Sequence, residues 1–253
     1  IIDASWHLPI TNRNAVDEFN INHIENSIFF DIDEYSNKGT KLPHMLPELK
    51  DWELIVSKMG IKNDDHIVIY DNADVLSSCR CWFTFIYFGH DINLVSVLDG
   101  GLKKWNLEKR PTTDKKIKLR TTNYKASIKK NLVVNLNQIN LNITKKDFCV
   151  IDARSEDRFK GLIDEPRNNL KKGNIEGSIN LPFSKIINFE NNTFKKKDEL
   201  VKIFLNHKIN INEKLAFSCG SGITACVLGL ASTIINGRLP VIYDGSWSEY
   251  GLK

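Results

Sequence analysis

Four short stretches in the first half of this 253-residue chain recur, in the same order, in the second half. IIDASW (Ile1 to Trp6) is echoed by VIDARS (Val150 to Ser155), and HIENSIFFDID (His23 to Asp33) by NIEGSINLPF (Asn174 to Phe183). HIVIYDN (His66 to Asn72) returns as KLAFSCG (Lys214 to Gly220), and VLDGGLKKW (Val97 to Trp105) as IYDGSWSEY (Ile242 to Tyr250). The offsets barely drift: Asp3 and Asp152 stand 149 positions apart, Ile24 and Ile175 151, Asp99 and Asp244 145. Apolar strands produce a single echo by chance, but an ordered set at one spacing points to a duplicated unit.

Each copy alternates short β-rich runs with helical spans such as Leu46 to Met59 and Asp198 to Asn206. That alternation predicts an α/β fold, two tandem domains that each hold a mainly parallel sheet flanked by helices. The stretch near Lys109 to Lys130 is rich in Lys and Thr, holds Pro111 and has no apolar period. It reads as a linker, dividing the chain into domains 1–112 and 131–253 joined by 113–130.

Composition then removes several classes of function. With 42% hydrophobic and 26% charged residues the chain is globular rather than disordered. Its net charge is +4, but basic clusters such as Lys195-Lys196-Lys197 carry no interleaved aromatics, so no nucleic-acid partner is expected. Leu215 to Gly237 contains no charged residue, yet Gly220, Ser221 and Gly222 interrupt it, so a strand, a turn and a buried helix are predicted there and no membrane span. The first thirty residues show no basic start leading into an apolar run, so no signal peptide is expected, although a chain opening without Met leaves a removed leader open. Five cysteines without paired CxxC knuckles suit reduced thiols in a cytoplasmic setting. Cys79 and Cys81 are one residue apart, poor spacing for a metal, and are assigned with Cys226 to the core.

Cys219 is different. It follows an apolar strand, opens a glycine-rich turn and precedes a helix, the usual ligand position at the carboxyl end of an open α/β sheet. Helix N-terminal amides and the helix dipole favour an anion there, which makes a thiol more acidic and more nucleophilic. The first half has the same strand but Asp71 where Cys219 stands, so only the second half is expected to be chemically active. A cysteine phosphatase needs an arginine six positions after its nucleophile, and that position is Ala225. Sulfur transfer needs only amides and hydroxyls around a persulfide.

With CGSGITA at Cys219 to Ala225, the chain resembles the tandem-rhodanese sulfurtransferases over nearly its whole length, in the 3-mercaptopyruvate form of the active loop. Thiosulfate-preferring relatives carry basic residues directly after the cysteine, where Gly220 and Ser221 stand here. DARSEDRFKGLIDEPR (Asp152 to Arg167) is similar to the family segment whose two arginines bind substrate, which implies those roles for Arg158 and Arg167. FFDIDEYSNKGTKLPHMLP (Phe29 to Pro47) resembles the first-domain segment that reaches the active site. In it Asp33 and His44 fall eleven apart, and with Ser221 they resemble the family's Ser-His-Asp relay.

The resemblance implies two rhodanese-like domains with the cleft between them, Asp33 and His44 coming from the first. It implies catalysis by Cys219, Ser221, His44 and Asp33, with the substrate held by Arg158, Arg167, Gly220, Gly222, Ile223 and Thr224. No metal or organic cofactor is expected. The acceptor would be a thiol, thioredoxin or a small one, or cyanide; a monomer is expected, a dimer being the alternative. Rival readings are a thiosulfate:cyanide sulfurtransferase and a persulfide carrier serving a partner protein. In the first half Asn22-His23-Ile24-Glu25-Asn26 lacks the two glycines of the family's segment, and Leu162-Ile163-Asp164 departs from its usual Thr before Glu-Pro.

Overall fold

The computed structural model describes residues 1–253, and by contacts it divides into two units. Unit 1 comprises Ile1–Gly39, Leu46–Lys130 and Asn188–Thr193; unit 2 comprises Thr40–Met45, Asn131–Ile187 and Phe194–Lys253.

Unit 1 contains strands β1 (Ile2–Asp3), β2 (Ile28–Phe29), β3 (Ile67–Tyr70) and β4 (Val95–Val97), with helices α1 (Ala15–Ile21), α2 (Leu49–Lys58), α3 (Ser78–Tyr87) and α4 (Gly101–Leu107). Its sheet runs β2-β1-β3-β4 and every pairing is parallel. Helix α3, SCRCWFTFIY, is buried all round, Ser78 to Ile86 being enclosed with Arg80 among them. An aromatic set finishes this core: Trp52 stacks on Phe88 at 4.9 Å and meets Phe85 edge-on.

Unit 2 contains β5 (Val133–Val134), α5 (Leu136–Lys145), β6 (Cys149–Asp152), α6 (Glu156–Phe159), β7 (Ile179–Asn180), α7 (Lys197–Asn206), β8 (Leu215–Ser218), α8 (Ile223–Asn236), β9 (Val241–Tyr243) and α9 (Ser246–Tyr250). The sheet order is β5-β9-β8-β6-β7, again wholly parallel. Helix α5 starts at a capping box in which Asn135 and Gln138 each accept the other's backbone N–H, at 3.0 and 2.9 Å. Helix α8 is the charge-free span of the sequence; it is preceded by the strand β8 and stops at Gly237 (φ +72°). No helix is long and apolar enough to cross a membrane.

The duplication shows in matched strand pairs and hydrogen bonds. Asp3 pairs with Tyr70 in unit 1, and Asp152 with Ser218 in unit 2. Ala4 N–H donates to Tyr70 O, and Ala153 N–H to Ser218 O, both at 2.8 Å. Ser27 and Ser178 each bond back to the carbonyl three residues earlier, Ile24 and Ile175, at 2.5 Å. Between these partners Asn26 takes φ +64° where unit 2 has Gly177 at +75°. Asparagine tolerates the left-handed region, so the lost glycine does not change the turn.

Three segments differ from the sequence expectation, one of them Asn188–Thr193, which lies in the expected second domain but groups with unit 1. Residues 113–130 group with unit 1: Thr122 and Ser127 donate their N–H groups to Ser57 O and Phe88 O at 2.9 Å, and the buried Tyr124 stacks on His90. An extended strip that satisfies its backbone against helix ends shows no periodicity, so it read as a linker. The six residues Thr40–Met45, placed in the first domain by sequence, group with unit 2.

Candidate active site

Cys219 is the residue after β8 and is 2% exposed. The turn Gly220-Ser221-Gly222 delivers the chain into α8 with Gly222 at φ +82°, a conformation that costs other residues about 1 kcal/mol. No side chain caps α8. The N–H groups of its first turn, Ile223 and Thr224 among them, therefore have no side-chain acceptor from the chain.

The turn is fixed from α9. Trp247 N–H donates to Cys219 O at 2.9 Å, and Ser248 N–H to Gly220 O at 2.8 Å. Ser246 accepts the Cys219 N–H on its Oγ at 3.1 Å and donates its own O–H to Tyr243 O at 2.8 Å. To do so it adopts φ +50°, matching Gly101 at +51° in unit 1. A non-glycine residue held there marks a position that the surrounding bonds over-determine.

His44 lies on the loop that groups with unit 2 and is buried at 4% exposure. Its Nδ1 shares a 2.8 Å hydrogen bond with Ser221 Oγ across 177 positions of sequence, and its backbone is left-handed at φ +60°. The structure thus brings Cys219, Ser221 and His44 into one unit. Asp33 belongs to unit 1, where Trp6 Nε1 donates to its carboxylate at 2.9 Å.

Arg158 is on α6, with its guanidinium against the loop: a Cβ built on Gly220 would lie 3.0 Å from Arg158 Nη2. Arg167 is half-buried nine residues on, its carbonyl accepting the Leu170 N–H. Between them Leu162 and Ile163 are exposed and Asp164 pairs with Lys172, so the residues that depart from the family pattern face outward.

Sequence reasoning allowed Arg158 to pair with Glu156 or Glu165 but left out Arg154, which stands behind that pair. Arg154 is buried and bonds Asp152 (2.7 Å), Glu165 (2.8 Å) and the Gly173 carbonyl (2.8 Å). Glu165 in turn holds Arg158 at 2.6 Å. The available signal was the charged pair Asp152 and Arg154 ending an apolar strand, because buried charges must be paired. The other cysteines have ordinary explanations. Burial pushes the Cys81 thiol up, and burial together with Glu213 does the same for Cys149. Cys226 donates to the Gly222 carbonyl inside α8.

The model of the rhodanese-like domain matches residues 10–108 and 135–253. The chain is 34% identical to human 3-mercaptopyruvate sulfurtransferase over 255 residues, covering 100% of this chain and 85% of that protein. It is 35% identical to rat thiosulfate sulfurtransferase over 253 residues, covering 99% and 84%. The crystal structure of SseA from Escherichia coli, a 3-mercaptopyruvate sulfotransferase by its description, superposes with a TM-score of 0.87 at 31% identity, covering 98% of this chain and 92% of that one. Two matched domains, end-to-end identity above 30% and a shared fold lead to one conclusion: the chain belongs to the rhodanese-like family, as a tandem-domain member.

Proposed function

We propose that this protein is a sulfurtransferase that moves the sulfur of 3-mercaptopyruvate to a thiol acceptor, or to cyanide, through a persulfide on Cys219. The observation that carries this reading is a single thiol at the open N-terminus of α8, with Ser221 two residues on and bonded to His44. Arg158 and Arg167 hold the α-keto acid, since a guanidinium fork suits a carboxylate. The Cys219 thiolate attacks the donor's sulfur; a sulfur–sulfur bond forms and the carbon–sulfur bond breaks, its electron pair passing to carbon as the enolate of pyruvate. The donor's S–H proton stays on the outer sulfur. Ser221, recharged by His44, protonates the enolate at carbon, and the first-turn amides of α8 with Gly220, Gly222 and Thr224 hold the persulfide. Asp33 enters the relay on the family resemblance. A thiolate, from thioredoxin or a small thiol, then takes the outer sulfur and Cys219 leaves as thiolate. Five cysteines without a disulfide support a reducing, cytoplasm-like setting.

Thiosulfate as donor is the second reading, favoured by the identity to rat thiosulfate sulfurtransferase. The test is intact mass of the reduced protein after brief exposure to each donor, with pyruvate measured in parallel. One sulfur gained with matched pyruvate from mercaptopyruvate alone supports the first reading. Loading by thiosulfate alone replaces the donor, and no loading by either sinks both.

A further inference from the structure

We propose that Glu165 is a positioning residue that sets the aim of Arg158 and so gives the site its grip on a carboxylate-bearing donor. The proposal rests on the reading above only in that Arg158 receives the carboxylate. Glu165 has a side chain 1% exposed and shares its two oxygens between two arginines. Oε1 takes Arg154 Nη1 at 2.8 Å and Oε2 takes Arg158 Nη2 at 2.6 Å, with Arg158 Nε at 3.3 Å from Oε1. Arg154 cannot swing: Asp152 binds its Nε and Nη2, the Gly173 carbonyl takes Nη2 at 2.8 Å, and its guanidinium lies 4.3 Å over the Trp247 ring. Trp247 is the residue whose N–H holds the Cys219 carbonyl.

These contacts close a ring: Cys219, Trp247, Arg154, Glu165, Arg158 and back to Gly220, where the missing Cβ leaves room for Arg158 Nη2. Arg158 is thus held by a buried carboxylate and placed in the space beside Gly220, next to the nucleophile. No hydrogen bond or ion pair within the protein engages its Nη1, the edge left for a ligand. A long side chain with free rotamers would spend binding energy on ordering; this one is ordered beforehand. Glycine at 220 and glutamate at 165 are then two halves of one device: a side chain at 220 and this placement of Arg158 compete for the same space.

The test is pyruvate binding by calorimetry to wild type, Glu165→Gln, Arg158→Ala and the double variant, with circular dichroism confirming the fold. Glu165→Gln and Arg158→Ala should each weaken pyruvate by about tenfold, and the double variant no further, because both act through one guanidinium. In turnover, Glu165→Gln should raise KM for mercaptopyruvate by about the same factor with kcat changed less than about twofold. Should Glu165→Gln not fold, Gly220→Val approaches Arg158 from the other side and should weaken pyruvate alike. Binding within about twofold of wild type in a folded Glu165→Gln or Gly220→Val protein, single effects that multiply in the double variant, or no pyruvate binding by wild type would each overturn the proposal. Persulfide formation is read separately, so its absence removes the assigned reaction and leaves this inference standing.

Discussion

The loop after β3 and the loop after β8 occupy one position in the two repeats, and each surrounds an acidic group. In unit 1 the group is the Asp71 carboxylate, which accepts the N–H of Ala73 at 3.0 Å and of Ser78, the first residue of α3, at 2.8 Å. Its carbonyl receives the Leu102 N–H at 2.9 Å, as the Cys219 carbonyl receives that of Trp247. In unit 2 a thiol stands there and no side chain caps the helix. The first loop supplies its own anion and closes the amides to any other; the second leaves them for one that arrives with the substrate. Burial raises the Asp71 pKa and the amides work against that rise, so unit 1 keeps the electrostatics of an active loop without a nucleophile.

The neighbouring aspartates extend the contrast. Asp152 is matched by Arg154, whereas Asp3 has Ser5 and Tyr70 beside it, and burial raises its pKa to about 6. One half pairs its strand-end carboxyl with a guanidinium; the other surrounds it with hydroxyls in a desolvated site that favours the protonated form.

The largest test of the contrast is a pair of substitutions. Cys219→Ser should abolish persulfide formation and lower turnover by at least about a thousandfold, while Asp71→Asn should cost about 1–3 kcal/mol of stability with turnover kept. Thermal unfolding and a pyruvate assay on both variants decide it, and a dead but folded Asp71→Asn protein would break the division of labour. Next, Arg154→Met leaves Asp152 buried without its cation and Glu165 with Arg158 alone, and should lose about 3–5 kcal/mol in denaturant unfolding. An unchanged midpoint would show that the network is not what holds unit 2.

Asp3 gives the third test. Its folded pKa lies above the value for an exposed aspartate, 3.8, so the folded state holds the extra proton between about pH 4 and 6 and stability falls as pH rises through that window. Asp3→Asn should remove a slope amounting to roughly 3 kcal/mol, seen by unfolding at stepped pH. A slope that persists in the variant assigns it elsewhere. The smallest effect belongs to Ser246→Gly, which relieves a left-handed serine and removes two hydrogen bonds, a net change within about 1 kcal/mol. The rate of Cys219 alkylation by iodoacetamide should nonetheless shift, since the Cys219 N–H loses its acceptor.

Much of this was legible in the sequence because the repeat fixed equivalences before any coordinates. Aligning Asp71 on Cys219 needed only IVIYD against LAFSC, and the strand register repeats it. CGSGITA announced an anion loop because turn, hydroxyls and helix are contiguous in sequence. The Ser221–His44 bond was legible only through resemblance, as its partners are 177 positions apart. Glu165 stayed hidden for another reason: sequence shows a carboxylate near two arginines and cannot show that it is buried between them. The run 113–130 was misread because backbone hydrogen bonding leaves no side-chain pattern.

The grouping of Thr40–Met45 with unit 2 has a consequence for how such a gene could be divided. A cut at residue 130 would yield a downstream fragment with the cysteine, the serine and both arginines, but the histidine would be encoded upstream. Such a fragment would lack the 2.8 Å hydrogen bond that Ser221 makes to His44.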